Sequence, residues 1–141
     1  MEPLRFLLGK WVSPPAETQL GRASGDATFW LMLNGRIMVR DGFADYGTAK
    51  TAPPRHDDMM VVYAEGPKDA LNAIYCDSEG HTIHYNVTIG APGSVRFESD
   101  PAQPGPKYRL SYQRQRDTLA GQFEIDGKTY LSWTSKLASA R

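Results

Sequence analysis

The sequence holds a single cysteine, Cys76, and its longest apolar run, Met59 to Ala64, falls far short of the roughly 20 residues a membrane-spanning helix requires. One cysteine excludes an internal disulfide and a cysteine-rich zinc site. It also suits a reducing compartment. Met1 to Leu8 lacks the basic and long apolar regions of a secretory signal, so a cytoplasmic location is expected. Charge of one sign is missing as well. Sixteen Lys and Arg balance sixteen Asp and Glu, leaving no net field to steer the chain toward nucleic acid or an anionic membrane. No P-loop, Ser-His-Asp set or paired-carboxylate motif can be assembled.

What is present is the grammar of one all-β domain spanning residues 1–141. Pro3 near a helix start, Leu4, Leu7 and Leu8 at helical spacing and Gly9 behind them predict a short helix with one apolar face. After it the period changes to two. Alternating runs predict about ten strands, near Lys10–Ser13, Ala23–Leu33, Arg36–Ala44, Asp57–Ala64, Ala70–Asp77, His81–Ile89, Ser94–Glu98, Lys107–Gln115, Thr118–Ile125 and Thr129–Leu137. Asn34-Gly35, Ser78-Glu79-Gly80, Arg116-Asp117 and Asp126-Gly127 supply tight turns between them. The fold expected is an antiparallel up-and-down barrel. Two longer, proline-bearing segments, Tyr46–His56 and Ser99–Pro106, should stand outside the sheet, either at a barrel mouth or as plain surface loops.

Turn chemistry then assigns faces. A three-residue hairpin with Gly80 as its bulge pairs Tyr75 with Ile83 and Ala73 with Tyr85. Leu71, Ala73, Tyr75, Ile83, Tyr85, Val87 and Ile89 then point inward, and Asn72, Ile74, Cys76, Thr82, His84 and Asn86 point outward. A two-residue loop at Arg116-Asp117 pairs Tyr108 with Ile125, Leu110 with Phe123 and Tyr112 with Gly121. At Asp126-Gly127 the turn rule asks for two residues, whereas placing Leu131 and Trp133 beside Phe123 asks for three. The strands flanking Asn34-Gly35 are apolar on both faces, with Trp30, Met32, Ile37, Val39 and Phe43 on one and Phe29, Leu31, Leu33 and Met38 on the other. Such a sheet is covered by the helix, forms a homodimer, or lines a cavity while packing elsewhere.

Leu7-Leu8-Gly9-Lys10-Trp11, the long hairpin carrying Phe29-Trp30 and Gly35, Tyr75 to Gly80, and Tyr130-Leu131-Ser132-Trp133 together resemble small bacterial lipocalin-like proteins of the calycin superfamily whose function is unassigned. The resemblance covers most of the chain. It implies a nearly closed barrel with an internal cavity, Trp11 packing across the closed end. Nitrobindin-like haem barrels and fatty-acid-binding proteins are distantly similar. The last strand has neither the histidine of the first nor the Arg-x-Tyr of the second, so neither ligand carries over.

The expected function is binding of a small, largely apolar or amphipathic molecule among Trp30, Tyr63, Tyr75, Tyr85, Tyr112, Phe123 and Trp133, with no cofactor or metal. Buried tyrosine hydroxyls need partners, so several together inside would imply a polar ligand group or water. Arg40 has two placements: outward beside Arg36, the commoner setting for such a charge, or inward among Phe29, Leu31 and Leu33, where it joins the ligand-binding set and needs a carboxylate partner. His84 is a candidate haem ligand or acid/base only if it lies inside. His81 and His84 point to opposite faces and make no metal pair, and His56-Asp57-Asp58 reads as a polar lead into a strand. The alternatives are an isomerase, decarboxylase or haem enzyme using the same cavity, and a dimerising module with an inert core.

Overall fold

The computed structural model describes residues 1–48 and 53–139, so part of the expected Tyr46–His56 loop lies outside the described residues. A 3-10 helix at Glu2–Leu7 leads into β1 (Gly9–Thr18), β2 (Gly21–Met32), β3 (Ile37–Asp45), β4 (Arg55–Glu65), β5 (Ala70–Asp77), β6 (Thr82–Ile89), β7 (Ser94–Ser99), β8 (Tyr108–Gln115), β9 (Thr118–Ile125) and β10 (Lys128–Ser139). Each strand pairs antiparallel with the next, and β1 returns to β10 to close an up-and-down barrel. Closure leaves no unpaired edge.

The closed end is built from the N-terminus. Leu4 and Leu7 are fully buried, their spacing suiting a three-residue turn as well as an α-helical one. Gly9 follows at φ 125°, a conformation that a side chain disfavours, and this bend turns the chain from helix into β1. Trp11 is then fully buried, and its indole N–H donates to the Leu7 carbonyl at 2.8 Å. Arg114 on β8 completes the closure, its guanidinium 5.1 Å from the Trp11 ring centre and donating to the Phe6 carbonyl at 2.9 Å. One cation thus ties helix, β1 and β8 together.

Most predicted registers are observed, including Tyr75 with Ile83, Ala73 with Tyr85 and Tyr112 with Gly121. The last hairpin satisfies both of its conflicting demands. Ile125 pairs with Lys128 across a two-residue turn, and a bulge between Thr129 and Leu131 then brings Leu131 opposite Phe123 and Trp133 opposite Gly121. An extra residue on one strand is what a bulge supplies.

Other expectations need correction. β1 continues to Thr18 through Pro14-Pro15, because a register shift between Ser13 and Ala16 lets the prolines pass without spoiling the ladder. Leu33 is not a strand residue facing inward; it lies in the Leu33–Arg36 turn at φ 52° and is 66% exposed. The remaining β2–β3 residues sort as two faces, Phe29, Leu31 and Met38 inward, Trp30, Ile37 and Val39 outward.

Trp11→Ala removes the largest side chain of the closed end together with the Leu7 hydrogen bond, and should cost about 3–5 kcal/mol. Urea unfolding followed by far-UV circular dichroism will read this as a lowered midpoint at unchanged slope.

Candidate functional site

The β1–β2, β5–β6, β7–β8 and β9–β10 connections, with the end of β3 and the start of β4, lie opposite Trp11 and form the mouth. The proline-bearing segment after β7 therefore stands at the rim. Below it lies a concavity of about 1300 Å³ bordered by Ala27, Arg40, Asp58, Tyr75, Tyr85, Leu110, Tyr112, Phe123 and Trp133. It also runs over the outer surface, where Ser111, Gln122 and Ser132 border it, so the enclosed share is smaller than the whole. Small-molecule sites span roughly 300–1,000 Å³, so the concavity has room for such a ligand.

Arg40 is inside the barrel and 9% exposed, the inward of its two placements. β3 alternates Met38, Arg40, Gly42 and Ala44 on its inner face, and Gly42 makes the room: a Cβ there would lie 3.2 Å from both terminal guanidinium nitrogens. Nε donates to the Tyr112 hydroxyl at 3.0 Å, and one terminal nitrogen pairs with the Asp58 carboxylate of neighbouring β4. The carboxylate that an inward Arg40 requires comes from the chain itself. An ion pair this secluded trades a large desolvation cost against attraction and hydrogen bonds, so its loss on one side is expensive.

Asp58 is one end of a longer chain. His56, also inward on β4, places Nε2 at 3.3 Å from Asp58 and 3.0 Å from the Tyr75 hydroxyl, with Nδ1 at 2.7 Å from Glu79. Glu79 as a carboxylate accepts, so Nδ1 donates to it. Tyr75 gives its own hydrogen to Asp77 at 3.1 Å and accepts from Nε2. Asp77 also takes His81 Nδ1 at 2.9 Å and the backbone N–H groups of Glu79 and His81. Burial alone would raise its pKa, but the His81, Tyr75 and Glu79 hydrogen bonds outweigh burial and hold it below the usual carboxylate range.

Aromatic rings form the inner wall. Phe29 and Phe97 meet Tyr112 edge-on, Tyr85 meets Phe97 and Tyr75, and Trp133 meets Tyr112 at 6.1 Å between ring centres. Trp133 lies over Gly121, where a Cβ would come within 2.4 Å of its ring. Tyr108 and Phe123 stack nearer the mouth. Burial, followed by the Asp77 carboxylate at Tyr75 and by Tyr112 at Tyr85, raises both phenol pKa values above their usual range.

Of the residues singled out beforehand, Arg40, Tyr75, Tyr85, Tyr112, Phe123 and Trp133 border this cavity. Trp30, Tyr63 and His84 do not. Trp30 pairs with Val39 and Tyr63 with Ile37 on the outer face, because Phe29 and Val62 take the inward positions beside them. His84 is exposed between inward Ile83 and Tyr85, so a haem held through it inside the barrel does not fit. Cys76 is exposed, on the outward face that its alternation assigns. Among the described residues no group of three or more His, Cys, Asp or Glu is placed to hold a metal ion, and no helix there is long and apolar enough to cross a membrane.

No family model and no curated protein matches this chain. The site therefore rests on its own geometry. His56 and Asp58 are the residues that reading by motif missed, and the alternation His56, Asp58, Met60, Val62 was the available signal, since Met60 and Val62 are plainly core-facing residues.

Asp58→Asn leaves the Arg40 guanidinium buried without its counter-charge and should destabilise the fold by roughly 3 kcal/mol, measurable by urea unfolding. A raised phenol pKa contributes stability below the ordinary value of 10.0 that disappears as pH rises through the folded value. In an alkaline absorbance titration Tyr75 and Tyr85 should ionise only as the barrel opens. The Tyr75→Phe, Tyr85→Phe double variant should lose stability less steeply on that limb.

Proposed function

We propose that this is a lipocalin-like binding protein that encloses a small amphipathic molecule in the mouth half of the barrel. The observation that carries the reading is an aromatic-lined cavity, open at one end, with a paired polar cluster let into one wall. An inert core would close this space, since protein interiors are packed to crystal-like density. Apolar rings supply affinity and a few fixed polar groups orient the ligand, the usual division of labour in such pockets. No cofactor is needed for this role. A cytoplasmic setting remains part of the proposal.

The Glu79–His56–Tyr75–Asp77 chain favours a second reading, proton-transfer catalysis on an enclosed substrate. In that reading His56, which donates through both ring nitrogens, would hand a proton to an enclosed substrate while Glu79 and Tyr75 hold its ring in place. A third proposal concerns the outer face. Trp30, Val39, Val61 and Ile74 align across β2 to β5, and Met32 and Met59 are exposed beside them. A homodimer through this sheet would cover the two methionines, and sedimentation of the purified protein decides it.

The neutral fluorophore N-phenyl-naphthylamine should bind with enhanced emission and quench Trp133. Ala44→Trp, which fills the mouth from the inner face of β3, should weaken that binding at least about tenfold, roughly the loss expected from closing a preformed pocket. Equal binding by both proteins, or none by either, overturns the reading.

A further inference from the structure

The Tyr85 hydroxyl is a deeply buried polar group of the inner wall that the internal network leaves unused. Tyr85 is 2% exposed and borders the cavity. Unlike Tyr75, whose hydroxyl meets both His56 and Asp77, it has no hydrogen-bond partner among the described residues. No fully enclosed polar side-chain atom there lacks one. Its hydroxyl therefore opens into the cavity.

A second hydrogen points the same way. The Tyr112 oxygen accepts from Arg40 Nε at 3.0 Å, and its own hydrogen has no acceptor among the described residues. Phe97 meets both rings, with centres 6.0 Å from Tyr85 and 6.3 Å from Tyr112, so the two tyrosines flank one side chain of the wall. Two phenol donors without acceptors make a site for an oxygen acceptor.

The charges nearby select which acceptor. Arg40 is already neutralised by Asp58, and Asp77 and Glu79 border the same cavity toward the mouth. A carboxylate entering past them would find Arg40 already paired with Asp58, and His81 and His56 already engaged by Asp77 and Glu79, whereas a neutral carbonyl oxygen needs only a hydrogen-bond donor. We infer that Tyr85 and Tyr112 form a two-donor cradle for the carbonyl oxygen of a neutral, largely apolar ligand, such as an aromatic ketone, ester or amide. This assignment rests on the binding function proposed above and specifies the head group that the cavity takes.

Three probes of one shape test it: acetonaphthone, which carries a neutral carbonyl; ethylnaphthalene, which has no acceptor; and naphthoate, which is anionic. Affinities are read by quenching of tryptophan fluorescence, alongside the infrared carbonyl stretch of bound acetonaphthone. Acetonaphthone should bind about tenfold more tightly than ethylnaphthalene, the worth of a hydrogen bond made by a previously unpaired buried donor, and naphthoate more weakly than acetonaphthone. Tyr85→Phe, which keeps the ring and the fold, should erase most of the ketone's advantage, leave ethylnaphthalene unchanged and shift the carbonyl stretch to higher frequency. Equal affinity for ketone and hydrocarbon, or tightest binding of naphthoate, overturns the carbonyl cradle while leaving the binding function standing. Failure of all three probes overturns the binding function, and the cradle falls with it.

Discussion

The hydrogen bond from the Trp11 indole to the Leu7 carbonyl holds the closed end of the barrel, and the polar wall near the mouth depends on that closure. A ten-stranded barrel encloses more width than ten rows of side chains fill by themselves. The N-terminal turn supplies the missing volume at one end through Leu4 and Leu7, and Arg114 clamps it there from β8. With the bottom sealed by a chain segment, the inner side chains farther up are not required to meet across the axis. They leave space for a ligand.

Polarity inside the barrel follows from that geometry. Toward Trp11 the inward residues are apolar: Met38, Val62, Ala73, Val95 and Leu119 are all buried. One step up stand Arg40, Tyr85 and Tyr112, and nearer the mouth Asp58, His56 and Asp77. Each charged group is matched by a neighbour on an adjacent strand or in the β5–β6 connection, because a charge in a half-enclosed site is tolerated only when paired and hydrogen-bonded. The arrangement fixes side-chain positions before any ligand arrives, and such preorganisation lowers the cost of binding. It also consumes the donors and acceptors involved. Tyr85 stands out against that saturated background.

Period-two alternation and turn chemistry made much of this barrel legible. The Gly80 bulge and the Arg116-Asp117 turn set registers that hold residue by residue, and with them the inward positions of Tyr75, Tyr85, Tyr112 and Phe123. Legibility failed where both faces of a strand were apolar. Around Asn34-Gly35 the pattern could not say whether Phe29 or Trp30 faced inward, and the side of Arg40 stayed open as a result. It failed again at His56 and Asp58, because a charged residue at a strand's start reads as solvent-facing unless its partners across the sheet are known. The final hairpin shows the remaining kind of failure, two sound rules reconciled by a bulge that neither predicts.

By itself the sequence determined that the chain is all-β, that its strands follow one another as antiparallel neighbours, and that Gly9-Lys10-Trp11 belongs to a barrel end. These are local matters, settled by periodicity, turn residues and short-range sterics. Only the tertiary structure decided that Arg40 lies inside, that Asp58 and Tyr112 are its partners, and that Trp30, Tyr63 and His84 lie outside. Those outcomes depend on which face of each strand meets the barrel axis. Arg40 and Tyr112 are 72 positions apart along the chain, and closing the sheet is what brings them together.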